Sequence, residues 1–509
     1  MQALSRTELP ALAKAHLAAS AISGRGQRGA LSAIARQMEI SRPTVYALAS
    51  EATEVLTSHF ESASTPDESG WVPVPVCVDY AQLFRTVVAL RAMAPNSIRC
   101  VEELLPIMYP GVRLSYGVIQ AIAAEADKQA ALVNKQADMS AIDAAALDEM
   151  YSQGAAVLAG VDLDSGYLFA LSRRQSRSGD DWGEVLKQAK EQKLDLKVVV
   201  KDAAKGIAAG VREEFPDAEQ RDDCFHAHDE MRKALFVLQR RAYGAIEREI
   251  EADKALENAR WAVVEGLKNK LAQKLRWARA KANKAIEMHD EFETAMRAAT
   301  EAMQLVNLET GVVRTAEQMQ SEIAAAAAQM LALDDARSKK VGRYLRNRAP
   351  GLASHMHAVG DVLNTVESRY GSEATHAAAL VHRLATELRN GRRPWDARND
   401  KRRLREAIAA LERGAPNAAD RLLGIIDVIS QKRHRASSAV EGFNAALRPF
   451  LYVHKGVTQG FLELFRARHN FKIRRWAKHK GTSAHEKLTG ERVDDWLTAL
   501  GYPPSQTLN

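Results

Sequence analysis

No proline interrupts the chain between Pro216 and Pro350. Ala, Leu, Glu, Lys and Arg dominate that stretch, as in "LENARWAVVEGLKNKLAQKLRWARAKANKAIEMHDEF". Proline is the residue that a helix interior tolerates least, and these others are its strongest formers. The run therefore predicts long helices, and helical patterning continues to about residue 430 with one break at "NGRRPWDARND" (390–400). We read 229–432 as an all-helical segment inserted into something else.

What it interrupts has another period. From Ala146, "AALDEMYSQGAAVLAGVDLDSGYLFALSRR" is a series of short β-rich runs broken at Gln153-Gly154 and Asp164-Ser165-Gly166, the pattern of consecutive hairpin strands. An amphipathic helix (about 181–192), the buried strand "LKVVVKD" ending at Asp202, and a helical "AAKGIAAGVREEF" follow. Three antiparallel strands, a helix, a strand and a helix describe the first half of an RNase H-like α/β fold. The expected core occupies 139–228 and resumes at 433–480, with a tail at 481–509.

Ahead of the core, "GALSAIARQMEISRPTVYALASEA" places Ile34 and Ala35 on one helix, Ser41 as an N-cap, and Val45, Leu48 and Ala49 on the inner face of the next helix. Arg42, Thr44, Tyr46 and Ser50 are left outward. This is the form of a helix-turn-helix whose second helix enters a DNA major groove, and we assign it to 1–60. The Ser-, Pro- and acid-rich "ESASTPDESGWVPVPV" (61–76) reads as a linker. A second helical unit at 77–138 breaks at Pro110-Gly111 and resumes near Ser115; DNA binding and simple packing are both open for it.

Charge is localised. The 509 residues carry a net charge of +7, and the window 431–480 alone holds 12 Lys or Arg against two acids, Glu441 and Glu463. A basic patch on a balanced background points to a nucleic-acid partner. Three scattered cysteines form no disulfide framework, the N-terminus lacks a signal-peptide core, and no run approaches the roughly 20 apolar residues of a membrane span. The expectation is a soluble cytoplasmic, nucleoid-associated protein.

Glu441 is a lone acid among these cations. Its helix, "SSAVEGFNAALRP", aligns Glu441, Asn444 and Arg448 at i, i+3, i+7 beside an apolar face of Val440, Phe443 and Leu447, and Pro449 is expected to end it. Asp202 ends a strand, and either Asp148 or Glu149, which alternate across the first strand, faces the same side; spacing leaves that choice open. Carboxylates on converging rigid elements are the ligands that two Mg²⁺ or Mn²⁺ ions need for phosphoryl transfer.

In that order, "LDEMYSQGAAVLAGVDLDSGYLFAL", "LKVVVKDAAKGIAAG" and "RASSAVEGFNAALRPFLYVHKGVTQGFLEL" behind a helix-turn-helix resemble a DDE-type transposase of a bacterial insertion element. The long helical insertion before the last acid is similar to the Mutator and hobo-like groups. The resemblance implies that Asp148, Asp202 and Glu441 are the catalytic, metal-holding triad. It implies cleavage at terminal inverted repeats, transfer of the 3′-OH to target DNA, and a homodimer or higher oligomer on duplex DNA. Arg448, Lys455, Arg466, Arg468, Lys472, Arg474 and Arg475 would neutralise phosphates, with Asn444 beside them, while Arg42, Thr44 and Tyr46 read base edges. Trp261, Trp277 and Trp395 are expected in helix packing, against stacking on a flipped base as in hobo-like relatives. The chain departs from the Cys-x-x-His of Mutator-like enzymes: "RDDCFHAHDEM" offers Cys224, His226 and His228, to which we give a structural or DNA-end role, a zinc site lacking a fourth ligand nearby. The rival readings are a non-catalytic DNA-binding regulator and an RNase H-like nuclease without strand transfer.

Overall fold

Helix and strand periods alternate along the chain, and the computed structural model of the protein follows them. It describes residues 10–23, 30–38, 40–63, 79–202, 204–259, 265–391, 396–453, 456–476 and 479–504. The chain divides into two units, 1–77 and 78–509.

The first unit holds α1 (Ala11–Ser23), α2 (Ala30–Gln37) and α3 (Arg42–Ala63). Leu17 and Ala21 of α1, which no motif in the sequence announced, close a core with Ala35, Ile40, Val45, Leu48 and Ala49. Ser41 caps α3 by accepting from the Thr44 N–H at 3.2 Å. Arg42 and Tyr46 are exposed, and the Thr44 hydroxyl shares a hydrogen bond with Ser41. Most of the expected linker, 64–76, lies outside the described residues.

The second unit opens with α4 (Tyr80–Met93), α5 (Ile98–Met108) and α6 (Tyr116–Lys135). A five-stranded sheet follows: β1 (Ala144–Ser152), β2 (Ala155–Asp162), β3 (Leu168–Arg174), then α7 (Gly179–Lys190), β4 (Val198–Lys201), α8 (Lys205–Glu214) and β5 (Glu219–Asp222). Its order is β3-β2-β1-β4-β5, with β1–β2 and β2–β3 antiparallel and β1–β4 and β4–β5 parallel. The β1–β2 hairpin turns on Gln153 and Gly154, both at positive φ (49° and 82°), as a two-residue turn demands. β5 is a strand that no apolar pattern announced: only Arg221 of "EQRD" is buried, its guanidinium donating to the Arg433 carbonyl at 2.9 Å.

Among the described residues eight helices then intervene: α9 (Cys224–Asn258), α10 (Glu265–Ala302), α11 (Ala316–Ala332), α12 (Ala336–Ala353), α13 (His355–Tyr370), α14 (Ser372–Asn390), α15 (Ala397–Gly414) and α16 (Ala419–Gln431). They share an Ala- and Met-rich core of their own. α9 starts five residues before the expected 229, because Asp223 caps it. Trp277 is not packed as expected: it is 61% exposed, with the Lys281 ammonium 3.4 Å from its ring centre. Trp261 and Trp395 lie outside the described residues.

The chain returns as α17 (Ser438–Val453) and α18 (Gln459–Phe471), then α19 (Ala484–Thr489) and α20 (Trp496–Ala499). Pro449 does not end α17; Phe450 and Leu451 beyond it are buried against the sheet, and that packing outweighs the one lost backbone bond. α17 and α18 cover one sheet face through Phe443, Leu447, Phe461 and Phe465, while α7 and α8 cover the other through Trp182, Leu186, Ile207 and Val211. α4–α6 share a core with Leu464, Ala467 and Phe471 of α18 and Leu497 of α20. No described helix is long and apolar enough to cross a membrane.

α8 approaches α7 and the Arg177–Ser178 backbone before it so closely that glycine is required. A Cβ on Gly206 would lie 1.9 Å from the Arg177 carbonyl, and one on Gly210 would lie 2.6 Å from Trp182 Cβ, whereas one on Gly360 in α13 would meet nothing within 4 Å. Gly210→Ala and Gly206→Ala should each destabilise the protein by about 1–3 kcal/mol through overpacking. Gly360→Ala should stabilise it by about 0.5–1 kcal/mol. Urea unfolding of the three variants checks both signs.

Asp127 of α6 gives a pH signature. Burial pushes its carboxyl up to about 6, opposed by Arg91, and its Oδ1 has no partner. A folded-state value above the ordinary 3.8 means that ionisation opposes folding: the penalty is absent below about pH 4, grows through pH 6 and persists at neutrality. Asp127→Asn should therefore raise the urea midpoint at pH 7.5 and leave it unchanged at pH 4.

Candidate active site

Parallel pairing of β1 with β4 sets Leu147 opposite Lys201. The next residue along each is an aspartate, Asp148 within β1 and Asp202 just past the end of β4, so the two begin about one strand spacing, roughly 4.8 Å, apart. Alternation along β1 sends Asp148 to the α17 face with Ala146 and Met150. Glu149 goes to the α7 face, where it accepts from Trp182 Nε1 at 3.1 Å and from Arg177 at 2.8 Å. The choice that spacing left open is made by these partners.

Asp148 is 7% exposed. Its Oδ1 accepts from the Glu149 N–H at 2.8 Å and its Oδ2 from Asn444 Nδ2 at 2.6 Å. Asp202 Oδ1 accepts from the Ala204 N–H at 2.7 Å. His226, in the first turn of α9, completes a group in which one ligand atom from each of Asp148, Asp202 and His226 lies within 4.8 Å of the others. Glu441, half-buried in the first turn of α17, adjoins the group through His226, its Oε1 lying 3.6 Å from Nε2.

Asp223 holds these pieces in place. Its side chain is fully buried. It accepts from the Phe225 N–H at 2.7 Å, capping α9, and from the Ser437 N–H at 3.2 Å and hydroxyl at 2.5 Å. Its Oδ2 also meets His226 Nδ1 at 2.5 Å, which holds the ring with Nε2 toward Glu441. The Cys224 N–H donates to the Arg435 carbonyl at 3.0 Å. The start and the end of the α9–α16 helical segment are thus fastened to each other beside the acids.

The electrostatics record the crowding of carboxylates. Burial pushes Asp148 up to about 6, with Glu441 and Asp202 adding to the rise and the Glu149 N–H and His226 opposing it. The hydrogen bond to Asp223 lifts His226 to about 9, reinforced by Asp148 and Asp202. Carboxylate oxygens with lone pairs remaining, a few ångströms apart, are the donor set of a hard divalent cation. The residues present fit Mg²⁺ or Mn²⁺.

Several expected site residues have other occupations. Asn444 is buried and orients Asp148, so it does not meet DNA. Arg466 is buried, its Nε donating to the Leu168 carbonyl at 3.0 Å. Both corrections have one cause: these polar groups face the sheet, where an unpaired backbone or carboxylate oxygen needs a donor. Arg474 is half-buried and bonds the Ser165 and Gly166 carbonyls. Arg468 lies half-buried near the Phe465 ring, and Lys472 beside it is held down to about 8 by burial and by the neighbouring Arg468 and Arg474. Arg448 and Arg475 are exposed, and Lys455 lies outside the described residues. Cys224 is buried with its thiol against the Leu352 carbonyl at 3.8 Å, and burial raises its pKa. His228 is half-buried and stands outside the group of three. Asp223 and Ser437 were missed; the two adjacent acids before Cys224 and the paired serines 437–438 were the only signals, and both are common as surface polar residues.

Removing Asp223 deletes a helix cap and orphans Ser437, so Asp223→Ala should lower stability by about 2–4 kcal/mol. Ser437→Ala should lower it by about 1 kcal/mol. Urea unfolding separates the two.

Comparison with known proteins finds a family model that matches part of the chain. Residues 142–364 match the family model DDE_Tnp_ISL3, described as a transposase. Among solved structures, the chain is similar to a Drosophila P element transposase strand transfer complex, at 12% identity and a TM-score of 0.30, covering 63% of this chain and 88% of that one. No curated protein matches the chain.

Proposed function

We propose that this chain, which resembles DDE-type transposases and matches a transposase family over residues 142–364, cleaves DNA at the inverted repeats ending its own element and joins the freed ends to target DNA. In this reading the sheet is an RNase H-like core, the eight helices are its insertion, and Asp148, Asp202 and Glu441 are the catalytic carboxylates. The observation that carries it is the meeting of Asp148, in β1, and Asp202, just past the parallel neighbour β4, with the α17 residue Asn444 bonded to Asp148 and Glu441 one turn away.

Asp148, Asp202 and Glu441 would hold the divalent ions, with His226 at their edge. Such ions, when bound, stabilise charge developing on phosphate oxygens and lower the pKa of the attacking oxygen. Asn444 fixes the rotamer of Asp148, and Asp223 fixes the ring of His226 and through it the approach of Glu441. In the first step a water oxygen bonds to the scissile phosphorus and the 3′ oxygen leaves, taking up a proton to become 3′-OH. In the second that hydroxyl oxygen bonds to a target phosphorus and displaces the target's 3′ oxygen, which takes up the proton the hydroxyl gives up and leaves as a 3′-OH. Arg448, Lys455, Arg468, Lys472 and Arg475 belong to the phosphate-binding surface, and Arg42, Thr44 and Tyr46 to base-edge reading. A homodimer would pair two element ends, and the chain would act in the cytoplasm on nucleoid DNA.

The test is nicking of a duplex carrying an element end in Mg²⁺ or Mn²⁺. Wild type should nick and then join the end to target DNA; Asp148→Ala, Asp202→Ala and Glu441→Ala should bind the end and not nick it. Binding without nicking by the wild type would make the protein a regulator, and nicking without joining a nuclease. Metal-dependent nicking that survives Asp202→Ala would refute the site.

A further inference from the structure

The sequence "ARSKKVGRYLRNRAPGLA" of α12 holds Arg337, Lys339, Lys340, Arg343, Arg346 and Arg348 and no acid. Val341, Leu345, Ala349 and Leu352 point inward. Arg337, Lys340, Arg343 and Arg346 are exposed, and among the described residues none of these four forms an ion pair with a carboxylate. The arrangement opposes helix stability. Like charges three or four residues apart repel by about 0.2–0.5 kcal/mol a pair, and cations in the first turn run against the helix dipole. Surfaces that serve only solubility mix both signs. A helix kept at one sign against its own interest points to a polyanion.

The far end of α12 fixes where that polyanion would lead. Arg348 pairs with Asp222 at 2.6 Å, and the backbone of Gly351 is so close to Asp222 that an added Cβ would lie 2.1 Å from Oδ2. Asp222 precedes Asp223, the carboxylate that positions His226. Tyr344, half-buried midway along α12, has its phenol pushed up by burial and by the field of Asp222, with Asp223 and Asp202 contributing. The helix therefore runs outward from the edge of the candidate active site.

We infer that the outer face of α12 is a track for the phosphate backbone of duplex DNA leading to the Asp148–Asp202–Glu441 centre, a surface in the helical insertion separate from the 431–480 patch. The inference rests on the transposase reading. From Arg337 to Arg346 the helix rises about 14 Å, and one strand passes a phosphate every 3.4 Å or so of duplex axis, so four side chains match about four phosphates. They carry no base-reading geometry, and the binding they provide is independent of sequence.

The test measures binding of a mixed-sequence duplex to the full chain across a salt series. Replacing Arg337, Lys340, Arg343 and Arg346 with Gln should flatten the slope of log K against log salt by about 3–4, at roughly 0.9 for each phosphate no longer neutralised, and equally for unrelated sequences. Arg337→Lys, Arg343→Lys and Arg346→Lys combined should keep the slope. Should the fourfold variant fold poorly, each single Gln substitution should take about 1 from it. An unchanged slope in variants that unfold like wild type overturns the inference, as does loss of binding to anionic lipid vesicles while duplex binding stays intact. Nicking by wild type with an unchanged slope would leave the enzyme reading standing and remove the track; a flattened slope with no nicking would do the reverse.

Discussion

A single buried carboxylate, that of Asp223, ties together parts of the chain separated by more than 200 residues. It caps the helix that leaves the sheet, receives both donors of Ser437 as the chain returns, and fixes the His226 ring. The helical segment α9–α16 can therefore be large without loosening the site, because its two ends meet at one anchor. A loop of that length would otherwise leave Glu441's helix free to drift relative to β1 and β4. Burial makes the anchor effective: a desolvated carboxylate binds its donors strongly and tolerates their absence poorly.

Around this anchor, polar side chains divide by the direction they face. Those turned to the sheet, Asn444, Arg466 and Arg474, satisfy carboxylate or carbonyl oxygens. Those turned to solvent, Arg448 and Arg475 on the C-terminal side and the outer cations of α12, have no such duty. The basic window 431–480 is thus two populations, one structural and one available to a partner. Counting charges in sequence merges them.

Legibility followed periodicity. The hairpin at Gln153-Gly154, the face of α3 carrying Val45, Leu48 and Ala49, and the helices α9–α16 were readable because each has a local signature in turn residues or spacing. β5 was not, since a short polar strand buried at one residue carries no alternation. Pro449 misled because the packing of Phe450 and Leu451 against the sheet overrides a local preference. Asp148 and Glu149 were distinguishable only once Trp182 and Arg177 were seen to claim Glu149. Asp223 and Ser437 meet only in three dimensions, and nothing local marks such a pairing.

The central claim is that Asp148, Asp202 and Glu441 form a divalent-cation centre. Titration of Mn²⁺ into the full chain, followed by electron paramagnetic resonance, examines it without DNA or turnover. Saturable uptake by the wild type that disappears in Asp202→Asn and Asp148→Asn, while both variants unfold normally, is the predicted result. Uptake that is unaltered by those substitutions would place the metal elsewhere and contradict the account.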